Sequence, residues 1–398
     1  MEETRPLFQE PLEGAAPEEG DAPPEGGYST GILPAQDLLR ATHVTREIRP
    51  REPILDDQIQ PASLDLRLGP KAYRVRASFL PGSHSSVQAK LDEFSMHEMD
   101  ITAGGVLERG CVYIIPLLET LHLKHRMSAR GNPKSSTGRL DVFTRLITDY
   151  GTEFDQVREG YKGMLYAEVS PRTFSILVRK GSRLSQLRIR RGAPPNSDER
   201  HKQLHKEFRL VDRDLSDEEI RNGVPITVDV VGDAHPEHVI GYRAKNHAGL
   251  IDVDRVNYYD YRDFWDPVRA PGRYGLVLDP ANFYILASRE AVKVPPRLAA
   301  EMIAYDTLVG EFRVHYAGFF DPGFGDPSAG GEGAKAVLEV RSYEVPFVIE
   351  DGQVVGRLVY ERLTDSPERL YGSGVVSNYQ RQGLRLSKHF RQPEWPRT

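Results

Sequence analysis

Six consecutive residues, Lys134-Ser135-Ser136-Thr137-Gly138-Arg139, place two cations around three hydroxyls and a glycine. Hydroxyls and exposed amides donate hydrogen bonds to phosphate oxygens, and Lys and Arg neutralise their charge. This is not a Walker loop, which needs Gly before the Lys; here that residue is Pro133. Two carboxylates lie in runs of strand-forming residues, Glu168 within Gly163–Val169 (GMLYAEV) and Glu339 within Ala334–Val340 (AKAVLEV). Side chains alternate along a strand, so Glu339 falls on the face opposite Leu338 and Val340. A carboxylate in such a setting can have a raised pKa and act as a general base. Asp321 stands in Phe319-Phe320-Asp321-Pro322-Gly323, where a strand enters a turn. Taken singly, each segment has a plainer reading that fits better: a polar surface turn, solvent-facing strand glutamates, a structural turn aspartate.

Zinc chemistry has no matching pattern. The zinc deaminases need a His or Cys, a Glu two residues on and a Pro-Cys-x-x-Cys, and Cys111 is the only cysteine. His201 and His205 are four apart and could share a helix face, but they lack the Glu of the metalloprotease motif. His122, His125, His235 and His238 show no better spacing, and no serine-protease or Cys–His signature appears. We expect no protein-bound metal. A single cysteine excludes a disulfide framework within the chain and suits a reducing compartment. A net charge of −6 and a pI of about 6.1 disfavour a nucleic-acid partner. Small anionic ligands need only local positive charge. No apolar run approaches a membrane span, and the N-terminus lacks the basic-then-apolar order of a signal peptide, so the expected location is cytoplasmic.

The elements that must position these groups are mostly short strands. The 398 residues fit two domains, with length to bury a core in each. Residues 1–30 are rich in Pro, Gly and Glu and poor in large apolar groups, so a disordered acidic tail is expected there. Asp37–Arg40 suggests a short helix. Gln60–Gly69 ends in an alternating strand and a turn. Val112–Ile115, Phe174–Val178, Leu187–Ile189, Phe283–Leu286, Ala336–Val340 and Phe347–Ile349 are further strand candidates. The last is joined through Asp351-Gly352 to Val354-Val355, a hairpin signal. Helical periodicity is confined to Ser216–Asn222, where Ser216 and Glu219 form a capping box, and Pro296–Tyr305, where Leu298, Met302 and Ile303 share a face. Residues 193–235 are charged and loop-like and read as a connecting segment.

The two glutamates belong to a repeat. Cys111–Ile115 matches Asn282–Leu286, and Gly163–Val169 matches Ala334–Val340. Tyr113 to Tyr284 and Glu168 to Glu339 share one step of 171 residues (284 − 113 and 339 − 168). Between them Gly151–Asp155 matches Ala317–Asp321. Three segments in one order, two at one offset, argue for duplication.

The order of the segments is specific where each alone is not. QPASLDLRLG, a β run, KSSTGR, a turn with Asp and a strand bearing Glu resemble the dCTP deaminases, which share the fold of trimeric dUTPases. The second half extends the likeness with AGFFDPGF, LEV, a DGQ hairpin, Leu370-Tyr371-Gly372 and Asn378-Tyr379-Gln380-Arg381-Gln382. The resemblance is to the long, double-length form. It implies a mainly β chain of two tandem dUTPase-like distorted β-barrels, jelly-roll-like, over 31–192 and 236–392, with few short helices and a short tail at 393–398. It implies a homo-oligomer with trimer-type packing of repeats. The implied reaction is zinc-independent hydrolysis of dCTP to dUTP and ammonia, supplying dUTP for dTMP synthesis. Mg²⁺ accompanies the triphosphate, and a strand Glu acts as the base.

Matched residue by residue, the likeness implies catalytic roles for Ser135, Arg139 and Glu339. It implies nucleotide binding by Lys134, Ser136, Thr137, Gly138, Ala317, Asp321, Tyr371, Asn378 and Gln382. Lys134 stands where an Arg is usual and Asn378 where a Lys is usual. The first repeat keeps the Ser-Arg loop but lacks the Tyr and Gln segment. The second has lost the loop, with Ala304–Leu308 in its place. A composite site follows: Lys134–Arg139 meets Asp321, Glu339, Tyr371 and Gln382, while Asp155 and Glu168 mark a relic second site. The alternatives are a dUTP pyrophosphatase, a bifunctional deaminase–diphosphatase, and a nucleotide-binding regulator without turnover.

Overall fold

A computed structural model describes residues 29–232, 237–272, 275–304, 312–315, 318–342, 344–373, 379–380 and 382–392. The chain is mainly β with few helices. Two five-strand antiparallel ladders dominate. The first runs Ser95–Asp100, Lys71–Val75, Val112–His122, Lys162–Pro171, Val142–Thr148, and the second runs Trp265–Arg269, Val239–Ala244, Phe283–Val292, Ala334–Ser342, Phe312–His315. Register corresponds as well as order. Val169 lies opposite Tyr113 and Glu168 opposite Ile114; Val340 lies opposite Tyr284 and Glu339 opposite Ile285. The Tyr113 hydroxyl accepts from the Glu108 amide, and the Tyr284 hydroxyl from the Asp279 amide, both at 3.1 Å.

A further pair at the same step escaped the sequence reading. Glu119 and Glu290 are both fully buried. Glu119 accepts from the Arg67 amide and Nε, each at 2.8 Å. Glu290 accepts from the Thr227 amide at 2.8 Å and Arg213 Nε at 2.9 Å. Each pins the long strand of its sheet to the neighbouring layer, where a buried carboxylate survives only with such donors.

The halves pack as one body. Phe174 meets Trp265 edge-on at 5.5 Å and Phe264 at 5.7 Å. Ile176–Val178 pairs in parallel with Ile251–Asp252, and Arg179 clasps Asp252 through Nη1 at 2.7 Å and Nη2 at 2.9 Å. Arg188 donates across the halves to the Ala300 carbonyl at 3.0 Å.

Four expectations need correcting. Pro296–Tyr305 is not a helix: Leu298–Ala304 is a strand paired with Val354–Arg362, with Leu298, Ala299, Ala300 and Met302 buried and Ile303 exposed. Around Ser216 the capping contacts form, the Glu219 carboxylate accepting from the Ser216 amide at 2.9 Å, but they close a turn and no helix follows. The connecting segment instead holds the helix Asp198–Phe208, capped by Ser197, and the strand Val224–Thr227, which pairs with Val354–Arg362. Asp351-Gly352 does turn the chain, yet Phe347–Ile349 pairs with Leu276–Leu278, so the flanking strands enter different sheets. Asp37–Arg40 does fall in a helix, Ala35–His43. Of the tail at residues 1–30, residues 1–28 lie outside the described residues, as does 393–398.

Candidate functional site

One cavity of about 500 Å³ gathers residues far apart in sequence. From the first half it is lined by Asp65, Lys134, Ser135, Ser136, Arg139 and Arg183, and from the second by Phe319, Asp321, Glu339, Tyr371, Gln382 and Lys388. Thr137 and Gly138 are buried within the same short helix, Ser135–Gly138, but do not line it. Ala317, Asn378 and the Tyr305 region lie outside the described residues.

The short helix follows an extended Lys134, whose amide donates to the Leu184 carbonyl at 2.9 Å. It ends at Arg139, which is 2% exposed. Arg139 Nη1 donates to the Arg385 carbonyl at 2.9 Å and Nη2 to Gln382 Oε1 at 3.0 Å, while the guanidinium carbon lies 3.9 Å from the centre of the Tyr379 ring. The ring and the two acceptors fix the plane of the guanidinium. Its Nε stands 3.9 Å from Glu339 Oε1, beyond hydrogen-bond reach, and among the described residues that Nε has no partner.

Glu339 occupies an inner strand, flanked by Phe283–Val292 and Phe312–His315. Burial pushes its carboxyl up to about 8, against the opposing pull of Arg139. The consequence for stability has a definite sign. The folded pKa lies above the ordinary 4.5, so folding is most favoured below pH 4.5 and loses stability as pH rises through about 8. Glu339→Gln is expected to be more stable than the parent at pH 9, with the gain vanishing near pH 5. Urea denaturation at both values checks this; an equal effect at both would refute it.

Asp321 is held by Arg188, whose Nη2 donates to Oδ1 at 3.1 Å; burial raises this carboxyl, and Arg188 opposes the shift. The ring of Phe319 lies 4.1 Å under the Arg188 guanidinium. Gln382 closes the arrangement: its amide nitrogen donates to the Lys335 carbonyl at 2.9 Å while its oxygen receives Arg139. The Tyr371 hydroxyl accepts from the Tyr379 amide at 3.1 Å. Lys134 is ion-paired with Asp65.

Glu168 is placed differently. Arg145 Nε and Nη2 both donate to its Oε1, at 3.0 and 2.5 Å, and it lines no part of this cavity. Asp155 also lies outside it, accepting from the Leu146 amide at 2.7 Å; burial raises its carboxyl to about 7. His201 and His205 do share a helix face, but His201 packs inward, its Nε2 accepting from the Tyr360 amide at 3.0 Å. Sequence reasoning overlooked Arg183, Arg188 and Lys388 as parts of the site. No local motif marks them: Arg183 and Lys388 join the cavity lining, and Arg188 reaches Asp321, only through packing of the two halves.

The chain is thus a mainly β protein in which a buried carboxylate and several cations line one cavity. Residues 29–193 match the N-terminal domain and 197–390 the C-terminal domain of the family model for 2'-deoxycytidine 5'-triphosphate deaminase. A crystal structure of 2'-deoxycytidine 5'-triphosphate deaminase from Agrobacterium tumefaciens is similar, with a TM-score of 0.79 and 54% identity, covering 85% of this chain and 100% of that one. A dCTP deaminase, dUMP-forming, from Beutenbergia cavernae is 32% identical over 27% of this chain; the match spans about half of that relative, 53% of its length. The enzyme of that name from Salinispora arenicola is 29% identical over 35% of this chain and 70% of its own length. The chain belongs to the 2'-deoxycytidine 5'-triphosphate deaminase family. Among the described residues, no helix is long and apolar enough to cross a membrane.

Proposed function

We propose that the protein hydrolyses dCTP to dUTP and ammonia, at a composite site built from both halves of the chain. The observation that carries this is Glu339, buried on its strand and 3.9 Å from Arg139, in a cavity that Lys134, Ser135 and Ser136 also line. Glu339 takes a proton from water, the water attacks C4 of the cytosine ring, and the carboxylic acid returns the proton to departing ammonia. A base with a pKa near 8 in a dry site suits both transfers. Ser135 and Arg139 position the water and the ring. The segment 134–139 binds the phosphates with Asn378, Asp321 takes the sugar, Ala317 presents backbone to the base, and Tyr371 and Gln382 close over the nucleotide. Asp155 and Glu168 are relics.

Mg²⁺ enters this reading only as the counter-ion of the triphosphate. Two acids of the lining pair with arginines, Asp56 with Arg369 at 2.6 Å and Asp57 with Arg183 at 2.8 Å. The halves are read as tandem dUTPase-like barrels in a cytoplasmic homo-oligomer with trimer-type packing.

The relatives named dUMP-forming support a second reading, deamination followed by loss of pyrophosphate. Incubation with dCTP and Mg²⁺, with ammonia, dUTP, dUMP and pyrophosphate measured together, separates the cases. Ammonia and dUTP in equal amounts are expected. Pyrophosphate with dUMP would establish the bifunctional reading. Pyrophosphate from dUTP without ammonia from dCTP would make it a pyrophosphatase, and binding with no product a regulator.

A further inference from the structure

Lys388 is a half-buried cation on the wall of the cavity, in the C-terminal segment and outside every motif discussed above. Its backbone is fixed on all sides. Its amide donates to the Tyr379 hydroxyl at 3.2 Å, and its carbonyl accepts from the Asn257 amide at 2.8 Å. Before it, Ser387 Oγ donates to the Ser136 carbonyl at 2.8 Å; after it, His389 Nε2 lies 2.9 Å from the Val253 carbonyl. The first of these holds the residue just before Lys388 against the Lys134–Arg139 segment.

Its side chain, by contrast, has no settled partner. Among the described residues no hydrogen bond or ion pair reaches Nζ. The charged groups nearest in effect are Lys134, Asp65, Arg183 and Asp254. Both acids already have cation partners, although Asp65 Oδ1 has no hydrogen-bond partner among the described residues. Asp65 pairs with Lys134 and lies 3.9 Å from Arg183. Asp254 receives Ser182 Oγ at 2.7 Å and Arg179 Nη1 at 3.2 Å. Burial and the two like charges push the Lys388 ammonium below its ordinary range. An ammonium partly withdrawn from water, without a counter-charge and beside two other cations, is costly unless an anion joins it. Three cations from three separate stretches, Lys134, Arg183 and Lys388, then surround one volume.

We infer that Lys388 is a phosphate-binding residue of this site, contacting the polyphosphate of the nucleotide together with Lys134 and Arg183. This rests on the reading of the cavity as a dCTP site. It assigns no step of the chemistry to Lys388, whose contribution is uniform to ground and transition states.

The test uses the full chain with Lys388→Met and Lys388→Arg. For Lys388→Met, the KM for dCTP and the inhibition constant of inorganic tripolyphosphate should both rise roughly tenfold or more, the loss of one charge-assisted contact. The kcat should stay within about twofold, the pattern of lost uniform binding. Lys388→Arg should recover most of the affinity for both. A rise in KM with tripolyphosphate inhibition unchanged, or a fall in kcat at constant KM, would overturn the assignment. So would failure of the Arg variant to recover while its thermal midpoint matches the parent. If the parent releases no ammonia from dCTP, the proposed reaction fails on its own, and calorimetric titration of tripolyphosphate into parent and Lys388→Met still decides this inference: equal affinities would refute it.

Discussion

Glu339→Gln is expected to abolish ammonia release from dCTP, lowering kcat by about 10³-fold or more, within the range for loss of a general acid–base group. The substitution preserves shape and leaves the strand pairing of Ala334–Ser342 untouched, because those bonds are made by backbone. It removes the carboxylate that lies 3.9 Å from Arg139 Nε and is proposed to accept the proton of water. Nucleotide affinity should be retained, since Asp321, Gln382 and the Lys134–Arg139 segment are unchanged. Ammonia release and calorimetric binding of dCTP, measured on the same preparation, check both halves. An active Glu339→Gln protein would remove the base from the mechanism. Loss of binding together with activity would mean that Glu339 shapes the pocket instead of reacting in it.

The counterpart at the same strand position should behave in the opposite way. Glu168→Gln is expected to leave turnover within about twofold and to cost about 3 kcal/mol of stability. Glu168 is 1% exposed and takes two hydrogen bonds from Arg145 on one oxygen. Neutralising it leaves the guanidinium without its counter-charge, and breaking a buried pair costs several kcal/mol. Arg145 keeps 23% of its side chain in contact with solvent, which places the expected cost at the lower end, about 3 kcal/mol. Denaturation midpoints with the steady-state rate give the answer. An inactive Glu168→Gln beside an active Glu339→Gln would reverse the roles of the two halves and sink the composite site.

Two glutamates on matched strands thus meet different fates because of what faces them. Arg145 is opposite Glu168 in the strand register and reaches it twice. Arg139 comes to Glu339 from the other half of the chain, is held back by Gln382, the Arg385 carbonyl and the Tyr379 ring, and stops 3.9 Å short. The paired glutamate is bound into the structure by its arginine. A glutamate left dry, with its cation at a distance, keeps the capacity to take a proton.

Sequence was most informative where a residue's role is local. Alternation placed Glu339 on a strand, the 171-residue step paired it with Glu168, and the order of segments pointed to the family. It misled where two periodicities overlap, as in Leu298–Ala304, whose apolar residues fit a helix face and a strand face alike until strand pairing decides. It also passed over the helix Asp198–Phe208, whose high charge hid the buried stripe of His201, Leu204 and His205.

What the sequence by itself determined, then, is the set of chemical groups and the strands that carry them, because strand alternation and turn chemistry act over a few residues. Only the tertiary structure decided which groups share a cavity. Arg139 and Gln382 are separated by 243 residues, and Ser387 reaches the Ser136 carbonyl across 251. Such distances are bridged by packing of the two halves, whose long-range burial and ion pairs no short window of sequence records. The same packing decides whether a glutamate is neutralised by a neighbour or left as a base.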